Sequence, residues 1–337
     1  MKKTLTLGLL TILSVVGTAR AQQAREAIIA AENTFAAQAA REGSAAAFLT
    51  NSTAASMVVE NGQLANAQKV WQSKPPATGP HRLAWHPVMA DVAQSGELGY
   101  TTGPWTFGSG TQTAAAGEYV TLWHKQPDGQ WKFVVDMGVE HSDDAVATPG
   151  TVARPQLFAG PATPVPVPAH AIIDLDHVFS KAELHKPLET YQAYLSKEAR
   201  LLRPGQLALL GPTAQVVINN TLNRAYLFAP TGGYLAASGD LGYVYGTLRR
   251  PSTDPKQPEE TGSYLRIWRR EAVAGWRIVL EVLSEATPAA PAMATMPAVP
   301  APATPAAAPV PATAPAAPAT ATTPAAPPAD GAAPVRQ

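Results

Sequence analysis

Two acidic residues, Asp136 and Glu281, close matching stretches of the chain: WKFVVD from Trp131 and WRIVLE from Trp276. A carboxylate in apolar surroundings loses solvation of its charged form, so its pKa rises and it can work as a general base or acid near neutral pH. Tyr100 and Tyr243 also occupy matching places, and each offers a hydroxyl that can donate to a ligand oxygen. Asp136 and Tyr100 are therefore the candidate catalytic pair, for proton abstraction beside a carbonyl. The plainer alternatives are a solvent-facing acid and a packed strand tyrosine. Strict alternation puts Trp131, Phe133, Val135 and Met137 on one bulky face and Lys132, Val134 and Asp136 on the other. On that pattern Asp136 points away from the core. His86 is a possible acid or base, but its counterpart is Ala229, so a second copy of the site would lack it.

Other chemistries find little support. The chain has no cysteine, so it offers no disulfide, thiol nucleophile or thiolate metal site. Its seven histidines show no HxH or HxxxH spacing, and neither a metal nor a cofactor is expected. A glycine-rich phosphate loop opening a helix and a GxSxG elbow are both missing. Residues 22–285 carry 21 Lys and Arg against 24 Asp and Glu, with no basic block. That balance argues against nucleic acid and anionic membranes as partners.

The elements that must position these residues follow from the texture of the chain. MKKTLTLGLLTILSVVGTARA reads as a signal peptide over residues 1–21: a basic start, a short apolar run and a small-x-small cleavage site. The mature protein is then expected outside the cytoplasm, periplasmic or extracellular, with no integral membrane anchor after cleavage. Residues 286–337 are nearly all Ala, Pro and Thr and are expected to form an extended, disordered tail. A second Pro-rich stretch, within residues 145–170, reads as a linker between domains at 22–144 and 171–285.

The two domains are copies. SGELGYTTG at Ser95 matches SGDLGYVYG at Ser238 at an offset of 143, and GEYVTLW at Gly117 matches GSYLRIW at Gly262 at 145. Phe35 matches Phe179 at 144. Ordered blocks with so little drift mark an internal duplication. Within a copy, Ile28, Ala31, Phe35 and Ala39 recur at helical spacing and Gly43 ends the run. Ser44 is expected to cap a short second helix, and Asn66 a third. Asn61-Gly62 predicts a tight hairpin. Arg82–Gln94, Leu98–Gly108, Gly117–Gln126 and Gln130–Glu140 read as long antiparallel strands. Gly96 supplies a tight turn that leaves Glu97 at an exposed tip. Gly103 marks a bulge or bend, and Pro104 predicts a kink. Helices followed by a strand meander make the fold class α+β.

In that order, a leading helix with Phe35, then LAWHP, SGELGYTTGPW and GEYVTLWHKQPDGQWKFVVD resemble the SnoaL-like, ketosteroid-isomerase-like branch of the NTF2-like superfamily. The resemblance covers Glu26–Glu140 well and Ile172–Leu283 more loosely. It implies two tandem cones, each a curved antiparallel sheet around about three N-terminal helices, enclosing an apolar pocket. Phe35, Trp85, His86, Tyr119, Trp123, Tyr243 and Glu281 are the pocket candidates. The family includes isomerases, cyclases and dehydratases as well as non-catalytic binding domains, so fold alone does not select among them. Three readings stay open: a protein binding a small apolar molecule or a protein partner, a cofactor-free isomerase or cyclase with Asp136 as base, and a scaffold in which the copies form an intramolecular pseudo-dimer. Lack of a recognisable catalytic set favours binding. The first copy holds five of the seven tryptophans, while Trp85 and Trp105 become Phe228 and Leu248 in the second. The better pocket is expected in the first copy.

Overall fold

The computed structural model describes residues 4–75, 79–110, 112–141, 151–155, 168, 170–221, 225–252 and 259–286. The Ala/Pro/Thr-rich tail, from residue 287 on, and most of the Pro-rich linker lie outside the described residues.

The first copy runs α1 (Thr4–Glu42), α2 (Ser44–Asn51), β1 (Ser52–Glu60), β2 (Gln63–Asn66), α3 (Ala67–Ser73), β3 (Arg82–Trp85), β4 (Met89–Val92), β5 (Leu98–Ser109), β6 (Gln112–Lys125) and β7 (Trp131–His141). The second runs α4 (Ala171–His185), α5 (Pro187–Tyr194), β8 (Leu195–Leu202), β9 (Leu209–Leu210), α6 (Pro212–Thr221), β10 (Leu227–Leu235), β11 (Leu241–Arg250), β12 (Glu260–Glu271) and β13 (Gly275–Glu285). The first sheet is ordered β2-β1-β7-β6-β5-β3, with β4 also on β5, and the second β10-β11-β12-β13-β8-β9. The fold is thus α+β, with helices preceding each sheet. Both sheets are mixed rather than wholly antiparallel, because β1 runs parallel to β7 and β8 parallel to β13. No helix among the described residues is long and apolar enough to cross a membrane.

Several local expectations hold. Asn61 and Gly62 both have positive φ, 51° and 75°, which closes the two-residue hairpin between β1 and β2. The Asn66 side chain accepts from the Lys69 N–H at 3.1 Å and caps α3. Gly96 and Gly239 turn at φ 72° and 65°. Three expectations need correcting. Ser44 does not cap α2: Gly43 holds the N-cap position, at φ 89°, with no side-chain bond. β5 runs through Pro104, which pairs with Glu118, without a break in register there. The irregularity lies on the neighbouring strand instead. Arg82–Gln94 is split into β3 and β4, and pairing steps from Trp85↔Trp105 to Met89↔Thr102 with one residue to spare. Gly103 lies beneath that bulge, where a Cβ would fall on the His86 carbonyl oxygen. The second copy repeats the device: a register shift between Pro230 and Gly232, with Gly246 under the Ala229 carbonyl.

One face of each sheet covers its own helices, and the other face meets the other sheet. Leu98, Tyr100, Val120, Leu122, Val135 and Met137 share one buried cluster with Leu241, Tyr243, Leu265, Ile267, Leu280 and Val282. This is two inner sheet faces packed as a core. Its edge is polar. Glu97, expected at an exposed tip, instead accepts from the Ala237 N–H at 2.7 Å, and Asp240 accepts from the Gln94 N–H. Arg269 pairs with Asp91 across the boundary and donates to the Val92 carbonyl at 3.0 Å. At the equivalent place on the opposite side, His124 packs edge-on against Tyr234, with ring centroids 5.0 Å apart. Arg200 and Glu118 form another buried pair across the boundary, at 2.7 Å.

Candidate functional site

The first copy's interior begins with α1. Its apolar stripe, Ile28 and Phe35, is interrupted by Glu32, which is fully buried. Phe35 sits among Phe48, Trp85, Trp123 and Phe133, with ring centroids 4.8 to 6.1 Å away. Glu32 accepts from Trp85 Nε1 at 2.5 Å, from Trp123 Nε1 at 3.0 Å and from the Thr101 hydroxyl. Burial pushes its carboxyl pKa up, and the three donors work against that rise.

Asp136 reaches the same interior through a bulge. Pairing of β6 with β7 steps from Leu122↔Val135 to Trp123↔Phe133, leaving Val134 extra. Alternation therefore breaks at Val134. Phe133 faces the helices, while Val135 and Met137 face the other sheet. Asp136, two residues after Val134, lands on the helix side with Phe133, which corrects the strict-alternation expectation.

A cavity of about 450 Å³ opens beside Asp136. Phe48, Trp85, Trp105 and Tyr119 form its aromatic wall, and Glu140, Ser284 and Glu285 lie at its rim. The second copy thus supplies part of the rim. Trp105 lies over Gly117 and Gly138, where added Cβ atoms would crowd the indole. The Thr121 hydroxyl donates to Asp136 at 2.8 Å. Burial raises the Asp136 pKa to about 7, the Thr121 bond opposes the rise and the Glu32 charge adds to it. The Tyr119 hydroxyl, on a residue 5% exposed, has no hydrogen-bond partner among the described residues. Burial, then Glu32 and Asp136, push its pKa far up, so it stays a donor.

The second copy fills the equivalent space. Asp176 on α4 stands for Glu32, Glu281 for Asp136, and Arg266 for Thr121, at offsets of 144 and 145. The Arg266 guanidinium, fully buried, donates at 2.7 Å to Asp176 and at 2.7 Å to Glu281. It lies 4.2 Å from the ring centroid of Phe179, 4.5 Å from Phe228 and 4.8 Å from Tyr264. Glu281 also takes Arg203 and the Tyr191 hydroxyl. Burial alone would raise its pKa, but the Arg266 and Arg203 charges outweigh that and hold it below the ordinary value. Leu283 and Leu248 stand where the first copy has Gly138 and Trp105.

No family model and no curated protein matches the sequence. Solved structures do. One is a ketosteroid isomerase-like protein from Erwinia carotovora atroseptica, 15% identical, TM-score 0.31, covering 35% of this chain and 96% of that one. Another is an NTF2-like superfamily protein from Salmonella enterica serovar Typhimurium, 15% identical, TM-score 0.28, covering 38% and 95%. The CaMKII hub of S. rosetta is 18% identical, TM-score 0.30, covering 36% and 100%. Each is similar to this chain over about the length of one copy.

Of the residues singled out from sequence, Asp136, Trp85 and Tyr119 line the cavity together. Phe35 and Trp123 lie behind it, in the packed aromatic cluster. His86 sits at the β3–β4 bulge and Glu281 in the second copy's ion network. Tyr100 and Tyr243 lie in the inter-sheet cluster, on the sheet face opposite Asp136. The structure therefore does not bring Tyr100 to Asp136. Sequence reasoning passed over Glu32, Thr121, Asp176 and Arg266. A signal was available: Glu32 precedes Phe35 by three residues, as Asp176 precedes Phe179.

Proposed function

We propose that this is an exported protein whose first copy binds a small, largely apolar molecule in its cone, with the second copy as its structural partner. In this reading residues 1–21 are the removed signal peptide, 22–144 and 171–285 the two domains, and the Pro-rich stretches at 145–170 and 286–337 a linker and a tether. One observation carries it. The two interiors descend from one design, yet the second is closed by Arg266 and the first keeps a cavity walled by aromatic rings around Asp136. Such a pocket, apolar with a few convergent polar groups, is the usual form of a small-molecule site. The test is native mass spectrometry of the mature protein after exposure to a lipid and metabolite extract. A retained mass of one small molecule per chain is expected, and its loss in a cavity-filling Gly138→Leu variant. An empty protein in every extract would overturn the reading.

A second reading is favoured by the Asp136 pKa of about 7. An acid with that value can abstract a proton beside a carbonyl, and Tyr119, in place of Tyr100, is the hydroxyl that shares its cavity. Hydrogen–deuterium exchange into simple cyclic ketones, followed by NMR, tests it. Exchange that Asp136→Asn does not slow would dismiss it. The extensive inter-sheet core also supports a scaffolding role for the paired copies.

A further inference from the structure

The second copy contains a cation in a cage. Two carboxylates grip the Arg266 guanidinium from either side, and three rings lie within 4.8 Å of it. Every other part of that cage has its counterpart in the first copy. Asp176 and Glu281 correspond to Glu32 and Asp136; Phe179, Phe228 and Tyr264 correspond to Phe35, Trp85 and Tyr119. Only the cation is missing, since Thr121 stands at the position of Arg266. Thr121 is short, and the cavity borders Asp136, Trp85 and Tyr119.

Electrostatics agree with this comparison. Elsewhere the fold meets buried acids with arginines: Arg269 on Asp91, Arg200 on Glu118, Arg266 on Asp176. Among the described residues no Lys, Arg or His lines the cavity, while Asp136, Glu140 and Glu285 do. Glu285 has Arg250 at 3.8 Å, outside the lining; Glu140 is exposed. Indole faces are the strongest of the aromatic partners for cations, and Trp85 replaces the second copy's Phe228. The Tyr119 hydroxyl, without a partner among the described residues, is a further polar group held in the same wall.

We infer that the first copy's cavity binds a small organic cation, of which the Arg266 guanidinium is the built-in template, seated between Asp136 and the rings of Trp85 and Tyr119. This rests on the pocket reading above and narrows its ligand class. Three neutral donors, Trp85, Trp123 and Thr101, satisfy the rear acid Glu32, whereas Asp136 has the Thr121 hydroxyl alone, so Asp136 is the acid left to meet a cation.

The test is isothermal calorimetry on the full chain at pH 8 with ethylguanidinium, its uncharged isostere ethylurea, and 2-naphthol as a neutral aromatic probe. One ethylguanidinium per chain is expected, with ethylurea at least about tenfold weaker, in line with one charge-assisted contact and one cation–ring contact. Asp136→Asn should erase the preference. Thr121→Arg should seat its own guanidinium and abolish binding. Should that variant not fold, Asp136→Asn still decides the question. Equal binding of the two isosteres, or a preference that survives Asp136→Asn, would overturn the cation assignment. So would failure of ethylguanidinium to bind at all. In either case binding of 2-naphthol at one per chain leaves the pocket reading standing, and its absence removes that reading too.

Discussion

The Oγ atoms of Ser95 and Ser238 lie 2.7 Å apart, and each accepts the backbone N–H of the other residue at 3.1 Å. The two residues are counterparts in the repeated line SGELGY and SGDLGY, so the most conspicuous repeat in the chain is where its copies clasp. The exchange satisfies two backbone donors at a part-buried boundary. We expect Ser95→Ala and Ser238→Ala each to cost about 1 kcal/mol, and a double-mutant cycle in urea to show coupling of about 1 kcal/mol. Strict additivity would show that the Oγ–Oγ contact contributes nothing.

Arg266 bridges two buried acids. Removing it leaves Asp176 and Glu281 facing each other with no guanidinium between them. Arg266→Met should destabilise the protein by about 3–5 kcal/mol, the usual cost of stripping one partner from a buried ion cluster. Urea titration at pH 8 checks it.

Asp136 sets a sign for the dependence of stability on pH. Its pKa, near 3.8 in the unfolded chain, is about 7 in the fold. Between those values the folded state holds a proton that the unfolded state has released. The Asp136 contribution is therefore full below pH 4, falls as pH rises toward 7, and levels off above. Asp136→Asn should flatten that part of the profile, measured as urea midpoint against pH. A steeper fall in the variant would contradict the assignment.

Trp105 and Gly138 test the packing. A side chain at 138 would meet the Trp105 indole, and the second copy answers with leucine at both places. Gly138→Leu alone should destabilise the protein through overpacking, by about 1–3 kcal/mol, read as a lower melting temperature. Adding Trp105→Leu should recover part of that loss. No recovery in the double variant would mean that the two positions are not exchanged as a pair.

Local chemistry was legible in the sequence. The Asn61-Gly62 hairpin, the Asn66 cap, the turns at Gly96 and Gly239 and the order of helices before strands depend on neighbouring residues, and the offsets near 144 exposed the duplication. The side of the sheet on which Asp136 stands was not legible, because the bulge at Val134 is set by pairing with β6. Tyr100 was paired with Asp136 for a related reason: the sheet buries both faces, so burial alone does not say that the two side chains stand on opposite ones. Glu32 and Arg266 escaped notice because each is meaningful only opposite a residue far along the chain.

The two unlike contacts at the boundary carry one last consequence. Arg269 meets Asp91 on one side and His124 meets Tyr234 on the other, although the positions are equivalent. Two first copies brought together would set Asp91 against His124. Two second copies would bury Arg269 against Tyr234, away from any Asp91. The boundary thus discriminates between the halves of a duplicated sequence: it rewards a first copy meeting a second copy, and works against two first copies or two second copies pairing with each other.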